Sequence, residues 1–353
     1  MRVRTLCIVI TASVAMLLYS APSLAQAAAK SVSQGSGLSY PAAICSDHSH
    51  VWVANSVGNS VTELSASTGG LVRDISGAEF KFNDPKAISS DGSHVWVANS
   101  RGDSVTELKA STGGLVSVLS GRSFGFRSRI SAIVSDGVHV WVANGAIDSF
   151  TGSVTEISAT TGKLVKIYSA SKYGFNDPVG ISSDRSHVWV ANYDGRSVTE
   201  LSAPSGNLVR VIKASTYGLN NPVAIDSDGT HVWIVNSPSP PDYNSVTEIT
   251  AATRDLVQVL SSSSFGFSSS VAISSDGAHV WVTDGYVGTL DGQVTELKAS
   301  TGGLTRIVKG SNYDFRSPDG VTSNGTYVWI ADEAVNAVTE IHATTGKLVR
   351  KVT

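Results

Sequence analysis

Cysteine is almost absent from this chain. There are two, Cys7 and Cys45. Cys7 falls in an N-terminal segment that reads as removable, which leaves Cys45 without an intramolecular disulfide partner. The folded product must therefore be held by packing. Charge is also scarce: 16% of residues are Asp, Glu, Lys or Arg, and the net charge is −3. Without a basic excess, nothing favours nucleic acid or an anionic membrane surface as a partner. Capped helical periods are missing, and so is any Gly-rich phosphate loop opening a helix. Beyond Leu18 no long apolar run occurs, so no helical membrane span is expected in the rest of the sequence.

The first residues carry a secretory pattern. Arg2 and Arg4 give a positive start, an apolar run extends from Leu6 to Leu18, and Ala25-Gln26-Ala27 offers an A-x-A cleavage site. The run is shorter than the ~20 residues that span a bilayer. No cysteine follows as a lipid attachment site. These features predict a signal peptide over 1–27, a lead-in over 28–39, and a secreted or periplasmic product.

What the sequence has in abundance is repetition. Seven tryptophans, Trp52, Trp96, Trp141, Trp189, Trp233, Trp281 and Trp329, sit in one local context. They recur every ~46 residues, within the range of propeller blades. The shared pattern is P-x-A-I-x-S-D-G-x-H-V-W-V-A-N, a variable loop, then S-V-T-E-L-x-A-S-T-G-G-L-V. Each copy divides into four short β-branched strands of period two, as in 87–90, 94–98, 104–108 and 115–119. Asp91-Gly92 and Ser111-Thr112-Gly113-Gly114 are the intervening turns. Four strands per repeat predict an all-β, seven-bladed β-propeller over 40–353, with four antiparallel strands per blade. The register also predicts that no strand is borrowed across the seam, although 28–39 has the length to lie against the last blade.

The P-x-x-I-x-S-D-G-x-x-V-W-V-A-N…S-V-T-E-L…T-G pattern resembles the YVTN and NHL repeats of bacterial propellers, over essentially all of 40–353. The resemblance implies the fold. It leaves function open among binding modules, sensors, scaffolds and enzymes such as streptogramin lyases and gluconolactonase-like hydrolases.

Repeated residues serve the blade before they serve a single site. Six histidines, His50, His94, His139, His187, His231 and His279, precede the V-W pair, each three residues after an Asp. They are expected to close the turn by a local hydrogen bond rather than to form a metal array. In blade seven Tyr327 and Asn324 are expected to make a neutral substitute. Glu63, Glu107, Glu156, Glu200, Glu248, Glu296 and Glu340 recur on the third strand, one per blade, too dispersed for paired acid–base work. The tryptophans and aromatic pairs such as Phe124 and Phe126 are expected to pack blade onto blade.

Propeller loops divide between two faces. The turns joining strands one to two and three to four are short and nearly identical. The loops joining strands two to three, and one blade to the next, vary in length and chemistry, so this face is expected to work. Candidate ligand contacts there are Phe150, Tyr243, Tyr286, Arg127, Arg129 and Glu333. Asp284 and Asp332 replace the Asn that ends the second strand elsewhere, and Asp319 stands where other blades carry Ala, Lys, Ser or Val. Three hard oxygen ligands would suit Ca²⁺ or another divalent cation. The leading expectation is a monomeric, non-enzymatic binding propeller for a protein, peptide or glycan. The competing one is a metal-dependent hydrolase or lyase with Glu333 as base. The streptogramin-lyase resemblance implies a catalytic His beside a Glu, but the two histidines outside the repeat position, His48 and His342, fall on the short-turn face.

Overall fold

The alternating β-branched runs fold as their period dictates. The computed structural model describes residues 30–32, 37–47, 49–127, 129–145, 152–169, 171–237, 244–261, 263–285 and 292–353. Seven antiparallel sheets follow one another along the chain, each in the order of its sequence. Blade two is representative, with strands Pro85–Ser90, His94–Asn99, Ser104–Lys109 and Leu115–Ser120. First strands of neighbouring blades contact one another around the ring, including blade one against blade seven, so these strands line the axis.

Blade seven is closed by its own four strands, Pro318–Ser323, Tyr327–Asp332, Ala337–His342 and Leu348–Val352. It also gains a fifth. Lys30–Val32 pairs in parallel with the outer strand, Lys30 opposite Arg350 and Val32 opposite Val352. The lead-in thus extends the last blade at its outer edge without supplying a missing strand.

The core is seven cores, each between two blades. Trp52, Ala54, Val61 and Ile75 of blade one pack with Phe82, Ile88, Val95, Val97 and Leu108 of blade two. Trp329, Ala331, Val338 and Val352 meet Ile44, Val51, Val53 and Leu64 to close the ring. The seven tryptophans are at most 2% exposed. Burying each is worth roughly 1.5–3 kcal/mol, and no blade could bury its own alone. The aromatic pairs stack at these interfaces; Phe124 and Phe126 have centroids 5.6 Å apart.

The polar repeat residues knit the short-turn face. In blade one, Asp47 accepts the His50 backbone N–H (3.0 Å), the Trp52 indole N–H (2.9 Å) and the Ser90 hydroxyl of blade two (2.9 Å). The Ser135, Ser227, Ser275 and Ser323 hydroxyls bond the preceding blade's turn Asp in the same way. Burial opposes ionisation of Asp47, but the Trp52, Ser90 and His50 bonds outweigh it and hold the carboxyl below its ordinary value.

Each His lies between that Asp and the third-strand Glu: His50 Nδ1 is 3.2 Å from Asp47 and Nε2 is 3.6 Å from Glu63. The second Glu oxygen takes a partner that differs by blade. It is Arg73 at 2.7 Å for Glu63, Ser117 at 2.7 Å for Glu107, Tyr168 at 2.5 Å for Glu156 and Gln258 at 2.6 Å for Glu248. These carboxylates are buried and committed within the scaffold. In blade seven the expected Tyr327–Asn324 side-chain pair is replaced by main-chain bonds. Asn324 accepts the Thr326 and Tyr327 N–H groups, both at 2.9 Å, while the Tyr327 ring packs on Trp329 and His342. An amide with a single acceptor oxygen suffices to close the turn, and a phenol has no need of it.

Candidate functional site

The opposite face is built by a second set of repeated contacts. Asn55, at the end of its strand, donates to Ser60 Oγ (3.1 Å) and Thr62 Oγ1 (2.9 Å), and accepts the Ser39 N–H (3.2 Å) of the incoming segment. Asn99 and Asn236 hold Asn83 and Asn220 N–H groups likewise. In blades six and seven an Asp does this work with two acceptor oxygens. Asp284 accepts the Ser268 N–H at 2.7 Å and the Ser269 N–H at 2.5 Å. Asp332 accepts the Arg316 N–H at 2.7 Å and the Ser317 N–H at 3.0 Å. The change is matched across the strand pair, where Gln293 and Ala337 replace the Ser that the Asn amide would address. Burial pushes both carboxyls up, and the amide donors pull them back.

A bulge opens every first strand at its second residue, between Pro318 and Gly320 in blade seven and between Pro85 and Ala87 in blade two. Asp319 and Lys86 are therefore equivalent residues, each left out of the strand pairing by the bulge. Asp319 is hydrogen-bonded to Glu333. The Ser317 hydroxyl lies 3.3 and 3.4 Å from its two oxygens. Burial, then the bond to Glu333 and its charge, push Asp319 up to about 8, so Asp319 holds a proton at neutral pH. Asp332 adds to the push through its charge. Asp319 and Glu333 are thus brought together. The oxygens of Asp284 and Asp332 are aimed at main-chain amides. Among the described residues, no three His, Cys, Asp or Glu side chains are grouped to hold a metal ion.

Glu333 faces a second feature. An open cleft of about 370 Å³ spans blades seven, one and two, lined by Tyr40, Ser56, Val57, Asn59, Asn83, Asp84, Lys86, Arg101 and Glu333. Lys86 Nζ of blade two comes within 3.9 Å of Glu333 of blade seven, and is 3.9 Å from Asp84. Arg101 lies 3.4 Å from Asp84. Tyr40 is 45% exposed, with φ of +55°. This left-handed backbone is uncommon for a bulky residue and is held from outside. Asn336 of blade seven accepts the Tyr40 N–H at 2.7 Å, and Asn59 accepts the Asp84 N–H at 2.8 Å one blade on.

Arg127 and Arg129 are exposed on the lead-in to blade three and do not line the cleft; Arg129 sits 3.7 Å from Asp177. Phe150, Tyr243 and Tyr286 lie outside the described residues, as do His48 and the 1–27 segment. Tyr40 and Asp84 are not among the residues expected from sequence to contact a ligand. Their signal was available: the residue before each first strand is Asp84, Asp177 or Asn221 in blades two, four and five, and blade one alone puts an aromatic there.

Comparison with solved structures gives the same fold. A chain of Kuenenia stuttgartiensis hydrazine synthase aligns with a TM-score of 0.65 at 18% identity, over 88% of this chain and 97% of that one. Streptogramin B lyase aligns with a TM-score of 0.61 at 17% identity, over 85% and 93%. The β-propeller domain of Myceliophteria thermophila Cps50 (Swd1) aligns with a TM-score of 0.64 at 10% identity, over 86% and 96%. No protein-family model and no curated protein matches the chain. At these identities the likeness is one of fold, and the chain is a seven-bladed β-propeller whose neighbours include both enzymes and propellers of other kinds.

Proposed function

We propose that the chain is an exported, non-enzymatic binding module that presents its variable face to a ligand outside the cytoplasm. The observation that carries this is the cleft across blades seven, one and two. Its charged side chains are exposed or half-buried, its ion pairs are long, and its aromatic is held in a strained backbone. The repeated His and Glu residues support the same reading, because each is committed to a partner in the scaffold. Export rests on Arg2, Arg4, the apolar run and Ala25-Gln26-Ala27. No helix among the described residues is long and apolar enough to cross a membrane. The likeness to YVTN and NHL repeats agrees with a binding role without selecting it.

The test is co-sedimentation of residues 28–353 with envelope fractions of the native cell. Saturable association is expected, and its absence over a wide protein range would overturn the reading.

A metal-assisted hydrolase or lyase is the second reading, favoured by the Asp319–Glu333 carboxyl pair. A cation held there would raise the unfolding midpoint by an amount that grows with the logarithm of its concentration over its dissociation constant. On the binding-module reading the midpoint is the same in EDTA and in millimolar Ca²⁺, Mg²⁺ or Mn²⁺. A clear shift that Asp319→Ala abolishes would move the weight to the enzyme.

A further inference from the structure

The binding-module reading leaves the ligand unnamed, and the chemistry of the cleft narrows it. Resting on that reading, we infer that the cleft of blades seven, one and two binds a neutral saccharide, with Tyr40 as stacking face and Asp84, Lys86 and Glu333 as hydroxyl partners.

Charge is the first argument. Two cations, Lys86 and Arg101, face two anions, Asp84 and Glu333. The cleft has no net charge to select a phosphate, a carboxylate or an ammonium ion. Polarity is the second. Among the lining residues the apolar surface comes from Val57 and the Tyr40 ring, and the rest is hydroxyl, amide, carboxylate and cation. A sugar ring offers the complement: a C–H face for an aromatic and a rim of hydroxyls that both donate and accept.

The state of those polar groups is the third argument. The ion pairs span 3.4 to 3.9 Å, beyond good hydrogen-bond length, and the side chains remain open to water, 40% for Lys86 and 29% for Glu333. Surface pairs of this kind contribute little, so hydroxyls can replace them at small cost. The groups are nonetheless fixed at the backbone. Lys86 stands on a bulge, and the Tyr40 and Asp84 amides are held by Asn336 and Asn59 from the preceding blades. Pre-organisation lowers the cost of ordering on binding. The volume, about 370 Å³, falls near the lower end of the ~300–1,000 Å³ of small-ligand sites and suits one or two sugar rings.

The experiment sets residues 28–353 on an array of neutral, acidic and amino mono- and disaccharides, beside a peptide array. The strongest neutral saccharide is then titrated against wild type, Tyr40→Phe, Tyr40→Ala and Glu333→Gln, each with an unchanged far-ultraviolet spectrum and unfolding midpoint. Neutral saccharides are expected to bind. Tyr40→Phe is expected to keep the affinity within about threefold, while Tyr40→Ala and Glu333→Gln lose tenfold or more. Selection of acidic or amino sugars, or affinity unmoved in Tyr40→Ala, overturns the saccharide assignment. So does peptide binding that competes at Tyr40, which leaves the binding-module reading standing. Failure of that reading is separately recognised, because envelope association would then be absent as well.

Discussion

Asp319 carries the largest consequence of a single substitution in the repeat. Blades four, five and six carry Val at the bulge, and blade seven carries a carboxyl pressed against Glu333. Its pKa is raised to about 8 from the ordinary 3.8, so the fold holds a proton that the unfolded chain releases. Stability from this group is present below the unfolded pKa and declines as pH rises toward 8. Asp319→Asn keeps the hydrogen bond and removes the titration. The variant is expected to have a higher unfolding midpoint than wild type at pH ~9 and a similar one at pH ~4. Urea unfolding at the two pH values checks this; equal midpoints at both would show that the fold holds no proton on Asp319. Asp332 predicts a contrast at the neighbouring position. Asp332→Ala strands the Arg316 and Ser317 amides and is expected to cost about 1–3 kcal/mol, measured by the same unfolding curves.

The strand is the scale at which the sequence was most legible. Period-two runs, bounded in most blades by Asp-Gly and Thr-Gly, predicted four strands per blade, and the Trp–His–Asp spacing predicted a closed turn. The hydrogen bonds that cross blades were harder to read. Ser90 bonds Asp47, 43 residues earlier, and Lys86 reaches Glu333 across an intervening blade; both follow from ring closure rather than local pattern. The same limit governed Asp284 and Asp332. Sequence alone showed extra carboxylates near an axis, which suits a cation, whereas the fold shows two main-chain amides delivered to each. Gln293 and Ala337, changed in step with them, were the clue within the repeat. The fifth strand on blade seven left no mark beyond the length of the lead-in. The blade interface also gives a firm prediction. Trp189 is fully buried between blades four and five. Trp189→Ala is expected to destabilise by about 3–5 kcal/mol, through lost transfer energy and the cavity left behind. Denaturant unfolding that moved by less than 1 kcal/mol would mean that the blades do not depend on this packing.

Across the whole molecule the two faces divide the labour. The short-turn face spends its Asp on joining blades and its His and Glu on bracing them, and the variable face keeps exposed chemistry on a backbone held from the preceding blade. Titration of the buried acids follows from this division. Asp47, Asp184 and Asp276 are held below the ordinary range by their hydrogen bonds, so their contribution is lost as pH falls through their folded pKa values. Glu63, Glu248, Glu296 and Glu340 are pushed up by burial, and Asp226 rises to about 6. These groups cost stability as pH climbs above their unfolded values. The stability maximum is therefore expected on the acid side of neutrality, and midpoints measured from acid to alkaline pH test it.

The measurement that bears most directly on this division compares envelope association of two charge reversals. Lys86→Glu changes the cleft, while Arg185→Glu changes an exposed turn of the opposite face. The account predicts that Lys86→Glu loses most of the association at unchanged stability and that Arg185→Glu retains it. Loss in Arg185→Glu with retention in Lys86→Glu would contradict it, and would move the working surface to the face assigned here to structure.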